Sequence, residues 1–130
     1  MQYQEEVLDA VFLIADKNPD IRQYIKSLLE SEFGLPPRTA STTDEVFEKL
    51  LYCPVDILIT SGEMAPDSNE AYLKQVKEWF PHTRTVVISP QIEEKSLTSS
   101  DLRVDGVVSA TTSSEICKKL LPLIKNIRQR

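Results

Sequence analysis

Short apolar runs alternate with stretches of helical periodicity along most of this chain, and no other feature of the sequence restricts its fold so far. The run Val11-Phe12-Leu13-Ile14-Ala15 is unbroken in hydrophobicity, as in a strand of a parallel sheet that is covered on both faces. Asp56 to Thr60 reads as the central strand, Thr85 to Ser89 as a fourth and Gly106 to Ser109 as a short fifth. Leu35-Pro36-Pro37-Arg38-Thr39-Ala40 is a poorer strand, because proline donates no ladder hydrogen bond, and this assigns it to an edge. Between the runs, Ile21, Ile25, Leu28 and Leu29 recur at helical spacing behind Pro19, with Gly34 as the stop, so a helix is expected over 19–33. Thr42 or Thr43 caps a second helix that carries Val46, Phe47, Leu50 and Leu51 and ends by Pro54. A third carries Ala71, Tyr72, Val76, Trp79 and Phe80 up to Pro81, with Trp79 read as core filler rather than a binding platform. Thr112 and Glu115 form a capping box for the last helix. Its stripe of Ile116, Leu120, Leu123, Ile124 and Ile127 is interrupted by Pro122, where a kink or early fraying is expected. Gln91 to Val104 is the weakest element of the pattern, a helix crowded by Ser96, Thr98, Ser99 and Ser100 and expected to be short or mobile.

A chain of 130 residues suits one domain with a single core, here taken as 1–130 with 1–9 a short N-terminal extension and 128–130 the C-terminal end. The net charge of −5 and pI near 4.9 give no electrostatic footprint for duplex nucleic acid. Lys118, Lys119, Lys125, Arg128 and Arg130 collect at the C-terminal helix, where cations also suit the helix dipole. No segment approaches the roughly 18 apolar residues needed to span a bilayer. The acidic start Met1-Gln2-Tyr3-Gln4-Glu5-Glu6 lacks the basic region of a signal peptide, so a cytoplasmic protein is expected. Cys53 and Cys117 lie far apart without metal-ligand spacing and read as reduced packing thiols. A single histidine, His82, next to Pro81 at a turn, supports neither a zinc site nor a Ser-His-Asp arrangement. The three glycines form no phosphate-cradling loop. Taken together, these features set enzyme readings aside.

Several local motifs in fixed order carry a family resemblance. Ala15-Asp16-Lys17-Asn18-Pro19-Asp20-Ile21-Arg22 joins an acidic loop to a Pro-acidic-Ile-Arg helix start. Pro54-Val55-Asp56-Ile57-Leu58-Ile59-Thr60-Ser61 is followed without a gap by Gly62-Glu63-Met64-Ala65-Pro66-Asp67-Ser68-Asn69. Ile88-Ser89-Pro90 and Val104-Asp105-Gly106-Val107-Val108-Ser109-Ala110-Thr111 complete the set. From Val11 to Ile127 the chain resembles the receiver domain of two-component response regulators. The resemblance implies an α/β fold of the flavodoxin-like, doubly wound (βα)5 kind. That fold is a three-layer sandwich around a parallel five-stranded sheet of order 2-1-3-4-5, with the site beyond the carboxyl ends of the strands.

In that family two acids after the first strand and an acceptor aspartate bind magnesium, and a hydroxyl and a lysine hold the phosphoryl oxygens. Carried onto this chain, Asp16 matches the first acid and Ser89 the hydroxyl. Lys17 stands at the second acid, Ser61 at the acceptor, Ala110 at the lysine, Thr111 at the following proline and Val107 at the switch aromatic. Neither a metal nor another cofactor is expected at a site so altered. Lys17 is read either as a surrogate cation beside Asp16 and Glu63 or as a solvated side chain.

The expectation is a pseudo-receiver, a signalling or protein-interaction module in a two-component-type pathway that acts without aspartyl phosphorylation. Its partner would be a histidine kinase or an effector, with a homodimer as a further option. The family's contact surface, on its last two helices and last strand, would carry Val104, Val107, Lys118, Lys119 and Lys125 here. One resting state is expected rather than a switch. The alternative is a receiver still modified at Ser61, or at a non-standard residue such as Asp67; small-molecule binding in the altered pocket has less support.

Overall fold

A computed structural model describes residues 10–34, 36–65, 69–89 and 104–128. In chain order these form β1 (Phe12–Ala15), α1 (Pro19–Phe33), β2 (Arg38–Ala40), α2 (Thr43–Tyr52), β3 (Ile57–Ser61), α3 (Asn69–Trp79), β4 (Arg84–Ser89), β5 (Gly106–Ser109) and α4 (Ser113–Arg128). The helix expected over Gln91 to Val104 lies, apart from Val104, outside the described residues, as does Asp67.

All neighbouring strands pair in parallel, in the order β2-β1-β3-β4-β5, and β2, which follows Pro36 and Pro37, occupies an edge as expected. Successive residues of a strand point to opposite faces, so each buried strand feeds two cores. Phe12, Ile14, Ile57, Ile59, Val86, Ile88 and Val108 pack against α1 and α4. Leu13, Ala15, Leu58 and Val87 pack against α2 and α3. The sheet is thereby sandwiched between two helical layers, the flavodoxin-like arrangement.

Local chemistry sets the element ends. Asn18 caps α1 by accepting the Asp20 amide at 2.9 Å, and Gly34 closes it at φ 81°, giving its own amide to Glu30. The cap of α2 is Thr42 rather than Thr43: its hydroxyl accepts the Glu45 amide at 3.1 Å while Glu45 folds back onto Ser41. The same reciprocal device opens α4, where Thr112 accepts the Glu115 amide at 3.2 Å and Glu115 takes the Thr111 amide and hydroxyl. These bonds, from Ser41 and Thr111 first of all, hold both glutamates below the usual carboxylate range. Strand β3 begins at Ile57, and just before it Asp56 clasps β1, its carboxylate accepting the Val11 amide at 2.7 Å while its own amide donates to the Val11 carbonyl at 2.9 Å.

Three expectations need correction. Trp79 is not core filler: it is 58% exposed, with its ring against Phe47 at 5.7 Å. The stripe of α3 that meets the sheet is Tyr72, Leu73 and Val76, and Phe47 packs edge-on against the Tyr72 ring at 6.0 Å. Leu51 and Ala71 likewise stand outside, Leu51 because it lies about 100° round the helix from the buried Leu50. Finally, α4 runs on through Pro122 to Arg128, since Ile124 and Ile127 are fully buried and their burial outweighs the amide that Pro122 cannot give to Lys118.

Candidate functional site

Parallel strands all end at one edge of the sheet, so the residues that close β1, β3 and β5 meet there although the sequence separates them widely. They surround an open cavity of about 240 Å³. Asp16 and Asn18 enter from the β1–α1 turn, Ser61 and Glu63 from the end of β3, and Ala110, Thr111 and Thr112 from the β5–α4 turn. Ile21, Ile88 and Ile116 supply apolar walls. Ser89 closes β4 and packs against Gly62, where a Cβ would stand 3.0 Å from the Ser89 Cβ. The Gly62 amide donates to the Ile88 carbonyl at 2.8 Å and holds that close approach.

Asp16 carries the main electrostatic signature of the cavity. One carboxylate oxygen accepts the Asn18 amide at 2.9 Å. Burial pushes its pKa up; the Asn18 bond and the Arg22 charge oppose the rise, and the Glu63 charge adds to it. Arg22 is the cation beside Asp16, its guanidinium donating to the Asp16 carbonyl at 2.7 Å and to the Lys17 carbonyl at 3.3 Å. Lys17 itself is exposed, stands outside the lining, and makes no ion pair among the described residues. Ser61 is half-buried, its hydroxyl accepting the Glu63 amide at 3.1 Å, and Glu63 is exposed.

Beneath Ser61 the strand is pinned by a buried polar pair. The Thr60 and Tyr72 hydroxyls lie 3.0 Å apart, and burial pushes the Tyr72 phenol up to about 12 against the opposing effect of that bond. The Asn69 amide donates to the Gly62 carbonyl and ties the start of α3 to the same turn.

Magnesium takes near-octahedral oxygen coordination, using one or two carboxylates. Here the turns offer one half-buried aspartate with a raised pKa, a neutral hydroxyl already engaged as an acceptor, and an exposed glutamate. Among the described residues no three carboxylate, imidazole or thiol side chains converge on one point. Asp16 and Glu63 are the carboxylates of the lining among the described residues, and Ala110 brings no charge for a phosphoryl oxygen.

Of the expected site positions, the cavity gathers Asp16, Ser61, Glu63 and Ala110, with Ser89 against its edge. Val107 lies apart on β5, paired with Val87 and half-buried. Val104 packs on the α2–α3 core, while Lys118, Lys119 and Lys125 are exposed on α4. Lys119 is committed to its own domain, donating to the Ser109 carbonyl at 2.5 Å with Glu115 3.8 Å away. Sequence reasoning missed Asn18, Thr112 and Arg22 as parts of the site. The position of the first two, just past strand ends, was a usable signal; the reach of Arg22 back to the loop carbonyls was not. Among the described residues no helix is long and apolar enough to cross a membrane, and Cys53 and Cys117 are free thiols.

No family model matches the chain. Over 122 residues it is 29% identical to the hydrogenase transcriptional regulatory protein HoxA of Cupriavidus necator, covering 92% of this chain and 24% of that protein. The chain thus spans about a quarter of the length of this curated relative. Among solved structures, the response regulator domain of Thermotoga maritima CheB superposes with a TM-score of 0.78 at 20% identity, over 93% of this chain and 97% of that one. A response regulator receiver domain protein from Clostridium thermocellum gives 0.71 at 21% identity, over 92% and 98%. The chemotaxis response regulator CheY4 of Vibrio cholerae gives 0.72 at 19% identity, over 88% and 98%.

Proposed function

We propose that this chain, whose fold is that of response-regulator receiver domains, is a pseudo-receiver, a signalling module that engages a protein partner without aspartyl phosphorylation. The observation that carries the reading is the chemistry at the ends of β1, β3 and β5. The position of the acceptor carboxylate holds Ser61, whose hydroxyl accepts an amide of its own turn. The phosphate-holding lysine is replaced by Ala110, and the second metal-binding acid by the exposed Lys17. A neutral hydroxyl without a metal or an adjacent base is a weak nucleophile toward a phosphoryl donor. With Val107 at the switch-aromatic position, the coupling parts of a two-state receiver are also altered, which supports a single resting conformation.

On this reading the module works in the cytoplasm as one domain over 1–130. It meets a histidine kinase or an effector, or a second copy of itself, through the surface of β5 and α4 that carries Val107, Lys118 and Lys125. Its acidic balance argues against nucleic acid as the ligand of this domain. If the chain belongs to a longer regulator, output such as transcriptional control resides in the other domains.

Incubation with acetyl phosphate and magnesium, and separately with a phosphorylated histidine donor, tests the reading by intact mass. The expected spectrum is that of the unmodified chain. A gain of one phosphoryl group would overturn it, and its loss or survival in Ser61→Ala would place the group on Ser61 or on another residue.

A further inference from the structure

We propose, building on the reading of a partner-binding pseudo-receiver, that the cavity at the sheet edge receives a basic side chain, arginine or lysine, from the protein partner. Charge is the first argument. Among the described residues, the charged groups that line the cavity, Asp16 and Glu63, are both acidic. The Arg22 charge acts on Asp16, but its guanidinium donates to two backbone carbonyls and stands outside the lining, as does the ammonium of Lys17. Asp16 is half-buried, so a cation that reaches it is screened less than at an open surface.

Shape and lining give the second argument. At ~30 Å³ per water-sized group, the cavity of about 240 Å³ holds about eight such groups, room for the stem and head of one long side chain. Its apolar walls, Ile21, Ile88, Ala110 and Ile116, suit an aliphatic stem. Ser61, Thr111 and Thr112 add hydroxyl oxygens; those of Ser61 and Thr112 each accept one backbone amide and keep a second lone pair that can accept from a guanidinium head with five donors. Ala110 is buried and small, which leaves open the space that a longer residue at that position would fill. A bare metal ion would use none of the apolar wall.

The probe is Nα-acetyl-arginine N-methylamide, added to the 15N-labelled chain at low ionic strength, with the citrulline analogue as its neutral isostere. Saturable shifts are expected at the amides of Asn18, Glu63 and Thr111, with binding about tenfold tighter for arginine than for citrulline, a difference of about 1.4 kcal/mol. The response should vanish in Asp16→Asn, and also in Ala110→Lys, whose own side chain fills the cavity; the amide spectrum verifies that each variant is folded. No saturable shift, equal binding of the two probes, or an unchanged response in both folded variants would overturn the proposal. Beryllium fluoride with magnesium, added to the same sample, separates the two levels. Silence toward both arginine and beryllium fluoride removes the cation site and leaves the pseudo-receiver reading standing, whereas a beryllium fluoride response removes that reading.

Discussion

At the scale of single residues, Asp16 is the group whose behaviour follows most directly from its surroundings. Burial raises its folded pKa above the ordinary 3.8. Between the ordinary and the raised value the native state therefore holds more proton than the unfolded chain, and stability falls as pH rises through that window. The cost of the charge is complete above the folded pKa and absent below the unfolded one. Asp16→Asn keeps an acceptor for the Asn18 amide and removes the charge, so its Tm should exceed that of the wild type at pH 7, with the gap closing toward pH 4. Thermal melts of the pair across that range check it, because the lowered carboxyls of Glu45 and Glu115, which lose stability as pH falls, cancel in the difference. A gap that widens on acidification would refute the assignment. Tyr72→Phe removes a buried hydroxyl partner of Thr60 at a cost of about 1 kcal/mol, read as a fall of roughly 3–5 °C in Tm. Positions like Ser61 and Asp16 are legible in the sequence because a strand end locates them. The Thr60–Tyr72 pair is not, because Tyr72 sits within an apolar helical stripe where only its ring is conspicuous.

At the scale of elements, the ends of helices were the most readable features and their exposed faces the least. Thr42, Thr112 and Gly34 act where their chemistry places them, because capping depends on residues within one turn. Trp79 and Leu51 defeat the reading because apolar spacing identifies a stripe without saying how far the sheet extends beneath it. Pro122 shows the opposite error. Local propensity argues for a kink or fraying, yet fully buried residues on its C-terminal side carry the helix through to Arg128. Pro122 is itself exposed, so Pro122→Ala restores an amide for Lys118 while removing no buried contact. The substitution should stabilise the domain by about 1–3 kcal/mol, measured as a higher midpoint in urea with an unchanged slope. A lower midpoint would mean that the ring contributes packing at that surface.

At the scale of the whole molecule, five parallel strands and two helical layers deliver three turns to one edge, and the fold places residues there regardless of their chemistry. The parallel α/β sheet was legible because the alternation of runs and helices spans the chain, and the order of its strands followed from the family resemblance. The cavity was legible only as a set of positions, since its volume and the distribution of charge around it depend on packing that the sequence does not display. The same edge that would hold a phosphoryl group in a working receiver here combines Asp16, Ser61 and Ala110, and this combination is the central claim. Amide NMR spectra of the labelled chain with magnesium, and then beryllium fluoride as a mimic of the acyl phosphate, test it most directly. The account predicts no localised shifts around Asp16, Ser61 and Ser89; saturable shifts there that spread to Val107 and α4 would contradict it and mean that the phosphorylation switch persists in altered form.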